Sequence, residues 1–301
     1  MPASDPLGGR LAYARNMLDR RFTFWLLFLP PLLWLLAFFL FPILMMGAFS
    51  FREDTHGALF SAWDLGLKQY ASLANTPSYW RLLGLSALVA LAVSASVVAL
   101  AYPLAYYLAI YARRRLGLYL VLLLVPFWTS YLLRIMALKI MLGTNGAVNS
   151  FLIYVGLIQE PLGALLYNRT AVMLTLMYVW TPFAALPILA ALQRIDPSIF
   201  EAAADLGARP LRQFLRITLP LSLPGVFAAF FMVFIPTVGE YVTPLLVGGS
   251  SGLLYGNIIQ DFFTKAANWP LGSALSMIML ACTLLLLLIA TRLVNLRELL
   301  Q

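Results

Sequence analysis

Six long apolar stretches alternate with polar ones, near Phe22–Phe49, Leu82–Tyr111, Leu116–Met141, Thr170–Leu192, Leu221–Val247 and Leu271–Arg292. Each approaches or exceeds the roughly 20 residues that an α-helix needs to cross a hydrocarbon core. None shows period-two alternation and none carries a run of charges. Backbone polar groups in lipid are satisfied only in a helix or a closed barrel, so the pattern predicts six transmembrane helices. Pro30, Pro31, Pro42, Pro103, Pro126, Pro182, Pro187 and Pro236 fall within these stretches and are expected to kink or break them locally. The first stretch is longer than the apolar core of a secretory leader and has no evident cleavage site, so it is expected to remain as an anchor.

The pattern changes between the fourth and fifth stretches. Asp196-Pro197-Ser198 offers an N-cap followed by proline at the first helical position. Ile199, Ala202, Ala203 and Leu206 then recur at helical spacing, and Gly207 stands where a residue just past the helix takes positive φ. Pro210 opens a second short helix carrying Leu211, Phe214 and Leu215, expected to end before Pro220. Small and apolar residues in a water-exposed helix-turn-helix need cover, from the chain's own helix ends or from another subunit. A connector lying on the surface is the plainer alternative.

Composition agrees with lipid as the solvent. Hydrophobic residues make up 62% and charged residues 11%, against roughly 25% charged in a soluble domain. The net charge of +8 invites a nucleic-acid reading, but its distribution argues against one. With the N-terminus in the cytoplasm, Arg10, Arg15, Arg20, Arg21, Arg113, Arg114, Arg115, Arg194, Arg209, Arg212, Arg216, Arg292 and Arg297 lie inside, thirteen of the twenty basic residues. Arg52, Lys68, Arg81, Arg134, Lys139, Arg169 and Lys265 fall outside or near outer helix ends. The charge is therefore a topology signal, and no nucleic acid is expected as a partner.

The remaining segments add little chemistry. The polar segment 51–81 carries Glu53, Asp54, Asp64 and the lone His56, read as a solvated loop residue. Phe151–Ile158 is too short to span and reads as an interfacial or re-entrant helix. Gly9–Arg21 mixes four arginines with Leu11, Met17 and Leu18, as a helix lying on the inner surface would. Asn168-Arg169-Thr170 fits a glycosylation sequon but abuts the membrane. One histidine and one cysteine, Cys282, make neither an ordinary metal site nor an intrachain disulfide. No phosphate-binding G-x-x-x-x-G-K-[ST] motif occurs, and Gly248-Gly249-Ser250-Ser251-Gly252 reads as a flexible outer turn. G-x-S-x-G is missing too, so the chain is not expected to be an enzyme or to hold a cofactor.

Glu201-Ala202-Ala203, then Gly207, then Ile217, Leu219 and Pro220 match the EAA loop of permease subunits of binding-protein-dependent ABC importers. The chain resembles that family over nearly its whole length. It looks most like the spermidine/putrescine permeases at Pro126-Phe127-Trp128-Thr129, at Arg134 and Leu138-Lys139, at Gly239-Glu240 and at Asn268-Trp269-Pro270-Leu271-Gly272-Ser273-Ala274. The resemblance implies an all-α, six-helix membrane protein of the type I importer fold, in a bacterial inner membrane, with both termini cytoplasmic. Residues 1–21 would be a cytoplasmic segment, 22–293 the permease domain with its coupling loop at 194–220, and 294–301 a cytoplasmic tail. It also implies a second permease subunit, a periplasmic substrate-binding protein, and a cytoplasmic ATPase dimer that holds the ATP and Mg. Glu201, Ala202, Ala203, Leu206 and Gly207 would then transmit ATPase motion. The expected cargo is a polyamine such as putrescine or spermidine, with another small amine, an amino-acid-like or an opine-like solute as the alternative.

For the path itself, Glu240 stands out as a carboxylate in the fifth stretch, where charge is costly unless it meets water or a cation such as Arg134 or Lys139. It reads either as an acidic lure for a cationic solute or as a structural ion pair or snorkelling residue. Asp261 poses the same choice. Trp128, Tyr131, Trp180 and Tyr241 would serve as cation–π walls or as ordinary interfacial belt residues. An ion-coupled carrier and an intramembrane enzyme are the competing classes. The first leaves the EAA loop unexplained, and the second lacks a nucleophile with its base.

Overall fold

In a computed structural model, residues 23–53 and 64–293 are described. The expected surface helix at Gly9–Arg21, the segments 1–21 and 294–301, and Asp54 and His56 lie outside them. Among the described residues all regular structure is helical, apart from one isolated bridge between Arg52 and Leu65. The helices are α1 (Thr23–Ser50), α2 (Lys68–Ala74), α3 (Pro77–Ile110), α4 (Leu116–Leu124), α5 (Tyr131–Leu142) and α6 (Ala147–Tyr154). They continue with α7 (Arg169–Gln193), α8 (Pro197–Asp205), α9 (Pro210–Val238), α10 (Tyr255–Thr264) and α11 (Trp269–Leu293). Six spans are long and apolar enough to cross a membrane: α1, α3, Tyr131–Tyr154, α7, α9 and α11.

Two of the expected helices are broken. The stretch Leu116–Met141 is not one helix: α4 stops at Leu124, a 3₁₀ turn covers Val125–Trp128, and α5 starts afresh at Tyr131. Pro126 brings no N–H, and the Thr129 hydroxyl donates to the Pro126 carbonyl at 2.6 Å, a local alternative to helix continuation. The stretch Leu221–Val247 also divides, with α9 ending at Val238 and a π turn at Pro244–Gly248. Glu240 therefore lies in a break, not within a helix as expected.

The second helix of the polar loop does not end before Pro220 but runs on into the fifth span. Pro220 leaves the Arg216 carbonyl without its usual donor, and a π turn at Phe214–Thr218 absorbs the mismatch, Leu219 N–H bonding to Phe214 O. The same device precedes Pro42, where a π turn spans Leu36–Leu40 and Phe41 N–H reaches Leu36 O. Helices continue through Pro103, Pro182 and Pro187 without a break.

The centre of the bundle is α3, α7 and α9, each packed on the other two. Val93, Val97, Ala101 and Ala105, four residues apart on α3, are fully buried, facing Val172, Leu176 and Ile188 of α7 and Ala229 and Val233 of α9. In lipid such contacts rest on close fit between small side chains. Gly225 marks the tightest approach, since a Cβ there would fall 2.6 Å from the Pro187 carbonyl oxygen. α1 packs against α11 and exposes Phe24, Trp34 and Phe38, a surface suited to lipid.

The connections at the Arg169 end of the bundle are firmly built. Asn168, the expected sequon residue, is the N-cap of α7, accepting from Ala171 N at 2.9 Å and donating to Leu166 O at 3.1 Å. The glycine-rich run, expected to be flexible, is a packed turn. Arg169 donates to Ser251 O at 3.0 Å, and Gly249, at φ +57°, lies against Tyr167.

Candidate functional site

Two sites emerge, one at the arginine-rich end of the bundle and one at the break in the fifth span. At the first, Asp196 caps α8 by accepting from Ser198 N at 2.9 Å, which holds its carboxyl below the usual value. Gly207 takes φ +76° just past the helix. Gly207 N–H reaches Ala204 O at 2.8 Å and Ala208 N–H reaches Ala203 O at 2.9 Å, the paired bonds of a Schellman stop. Ala203 is buried and Phe200 packs on the core, so α8 is seated on the bundle. Leu206 at its tip is 88% exposed, and Glu201 and Ala202 are exposed with it. The five residues expected in coupling thus lie on one short, capped element. Phe214 ties the following helix to α3, its ring edge-on to Tyr102 at 5.8 Å and Tyr106 at 5.6 Å.

At the second site, Glu240 accepts three hydrogen bonds. Val242 N–H and Thr243 N–H donate to its Oε1 at 2.9 and 3.0 Å, and the Tyr131 hydroxyl donates to Oε2 at 2.8 Å. Tyr131 and Thr243 hydroxyls are 2.9 Å apart, so the clasp joins α5 to the segment beyond the break. Glu240 thus caps the helical turn that begins at Val242, and it pairs with neither Arg134 nor Lys139 as expected. Arg134 lies over the rings of Phe127 at 4.6 Å and Tyr131 at 5.9 Å, its buried Nε and Nη1 having no hydrogen-bond partner. Lys139 lies over Tyr167 at 5.7 Å.

The other expected path residues are dispersed. Trp128 is 83% exposed in its 3₁₀ turn, and Trp180 packs against the Phe183 ring at 5.7 Å. Tyr241 joins through its backbone, its carbonyl accepting from Asn257 Nδ2 at 2.8 Å. Asp261 makes an ion pair with Lys265 at 2.8 Å on the exposed side of α10. Asn257, Ser86 and Thr243 went unnoticed in the sequence. Ser86 accepts from Tyr255 N at 2.8 Å and Asn257 Oδ1 from Leu254 N at 3.0 Å, anchoring α10 across the break. The spacing of Thr243, three residues after Glu240, was the one available signal, since an acid accepts from the amide at that offset.

Residues 6–300 match the family of binding-protein-dependent transport system inner membrane components. The spermidine/putrescine transport system permease protein PotB of Salmonella typhimurium (strain SL1344) is 38% identical over 267 residues, 87% of this chain and 91% of PotB. PotB of Escherichia coli (strain K12) is 37% identical over 267 residues, with 87% and 95% covered. Among solved structures, a bacterial ABC transporter that imports the acidic polysaccharide alginate matches at TM-score 0.71 and 18% identity, covering 93% of this chain and 98% of its counterpart. With six apolar spans around a helical core and a match across nearly its whole length, the chain belongs to the binding-protein-dependent inner-membrane transport components, multi-pass permease subunits rather than enzymes.

Proposed function

We propose that the chain is one of two permease subunits through which an ATP-driven importer passes a polyamine such as putrescine or spermidine into the cytoplasm. The observation that carries this reading is the capped elbow at Pro197–Gly207, whose Leu206 projects 88% exposed from an element otherwise seated on the bundle. An exposed leucine on a rigid tip suits insertion into a groove of another subunit. In this reading the elbow faces the cytosol, as the clustered arginines favour. A cytoplasmic ATPase dimer, carrying the ATP and Mg, moves Glu201, Ala202, Ala203, Leu206 and Gly207 as a unit. A periplasmic binding protein delivers the solute, and the second permease closes the path. Moving a gate from 1:99 to 99:1 takes about 5.5 kcal/mol of differential binding, within the range of nucleotide-dependent subunit contacts.

Glu240 is the acid that meets the amine, with Tyr131 beside it. The relatives' substrates support a polyamine. A second reading, an amino-acid-like or opine-like solute, draws on Arg134, whose guanidinium has unused donors beside the same clasp and would suit a carboxylate. The test is co-purification in mild detergent followed by uptake into ATP-loaded proteoliposomes. The importer reading requires an ATPase and a second permease in the complex, and uptake of labelled putrescine. Uptake without any ATPase would overturn it. Competition by an amino acid in place of putrescine would select the second cargo.

A further inference from the structure

A cavity of about 420 Å³ lies between the elbow and the bundle, and of the coupling residues only Glu201 lines it. Its walls include Tyr106, Tyr111 and Arg113 at the end of α3, Phe200 and Glu201 of α8, and Phe214 of α9. Its size falls in the range of small-ligand sites, roughly 300–1,000 Å³. Arg113 and Glu201 are both exposed, and among the described residues neither makes an ion pair or a side-chain hydrogen bond. One cation and one anion therefore look into the same space without partners, among aromatic rings. Two of those rings are tyrosines at the end of a membrane span, the depth at which amphipathic rings meet headgroups. Arginine is the residue best shaped to hold a phosphate.

We propose that this cavity binds the zwitterionic headgroup of an aminophospholipid. Its phosphate rests on Arg113, and its primary ammonium donates to Glu201 over the rings of Tyr106 and Phe214. A lone anion would leave Glu201 opposed, and a free amine would meet Arg113; a headgroup bearing both charges answers both walls. Because the cavity separates α8 from α3, a lipid held there would brace the elbow against the bundle.

The test uses the full chain with its co-purifying partners, placed in nanodiscs of phosphatidylethanolamine with phosphatidylglycerol, phosphatidylcholine with phosphatidylglycerol, or phosphatidylglycerol alone. Native mass spectrometry then reads the lipid retained through stepwise delipidation. Retention of phosphatidylethanolamine in preference to the other two supports the proposal, since a trimethylated ammonium has no N–H for Glu201. Arg113→Gln should lower that retention about tenfold, the effect of one lost charge-assisted bond, while Arg113→Lys keeps most of it. Equal retention of all three lipids, preference for phosphatidylglycerol, or indifference to Arg113→Gln would each overturn it. Membrane yield separates misfolding from lost binding, and a misfolded Arg113→Gln passes the decision to the wild-type lipid preference.

Discussion

The Glu240 carboxylate has one observed job and one proposed, and single substitutions can separate them. As a cap it satisfies the Val242 and Thr243 amides, and in the proposed path it would also offer charge to a passing amine. Glu240→Ala removes both, so the purified complex should lose about 1–2 kcal/mol of stability, seen as a lower melting temperature. Glu240→Gln keeps the acceptor for the Val242 and Thr243 amides and loses the charge, while its NH2 replaces the oxygen that faced Tyr131, whose hydroxyl can turn to Thr243 Oγ1. Its melting temperature should hardly move while KM for putrescine rises about tenfold, the effect of roughly 1.4 kcal/mol. Uptake kinetics decide the matter: an unchanged KM in Glu240→Gln would leave the residue as a cap alone. Tyr131→Phe should free Oε2 from its hydroxyl donor and loosen α5 from the segment beyond the break, raising the rate of solute leak in the absence of ATP. The acid itself was legible in the sequence as an isolated charge in an apolar run. Its capping role was signalled only by the spacing to Thr243, because the break itself depends on contact with a distant segment. A Cβ at Gly256 would come within 2.7 Å of the Gly239 carbonyl oxygen, and nothing local to residue 240 announces that approach.

At the scale of elements, the elbow was readable because its start and stop are local. Asp196-Pro197 and Gly207 are cap signals carried by their own neighbours, and the structure places both as those signals imply. Gly207→Val should force a β-branched residue into positive φ, at a cost on the order of 1–2 kcal/mol. Membrane insertion should survive, and substrate-stimulated ATPase activity should fall. Glu201→Arg should do likewise, so full stimulation in either variant would refute the coupling role. The Asp196 cap should withstand ordinary acidification. Its folded carboxyl value is depressed, so its contribution is present above the unfolded value of about 3.9 and disappears only as pH falls through the lower folded one. Coupled ATPase activity should therefore show no Asp196-dependent step between about pH 5 and pH 8. The π turns before Pro42 and Pro220 were not legible. Proline marks where a helix is in difficulty, but whether it stops, bends or widens is decided by what packs alongside, here Tyr102 and Tyr106 on Phe214.

For the whole molecule, hydropathy gave the number of spans, since each must bury its backbone without help from water, but it set the third at Leu116–Met141 where the structure has Tyr131–Tyr154. It could not tell which three would form the centre. That choice rests on small residues at close approach, and Gly225 is the sharpest case. Gly225→Val should push α9 away from Pro187 and Ala191, costing about 1–3 kcal/mol as overpacking does, and lower the melting temperature in detergent. Thermal unfolding followed by tryptophan fluorescence would check this, and an unchanged transition would mean that the two helices part easily.

The uninterrupted run from Pro210 to Val238 gives this arrangement a mechanical meaning. Its 29 residues form a strut roughly 43 Å long at 1.5 Å per residue. One end is planted at the elbow and the other stops at the Glu240 clasp. A displacement applied at the elbow therefore arrives at the clasp along a single rod, with no relay of side chains between them. The wide turn at Phe214–Thr218 is where that rod would flex first.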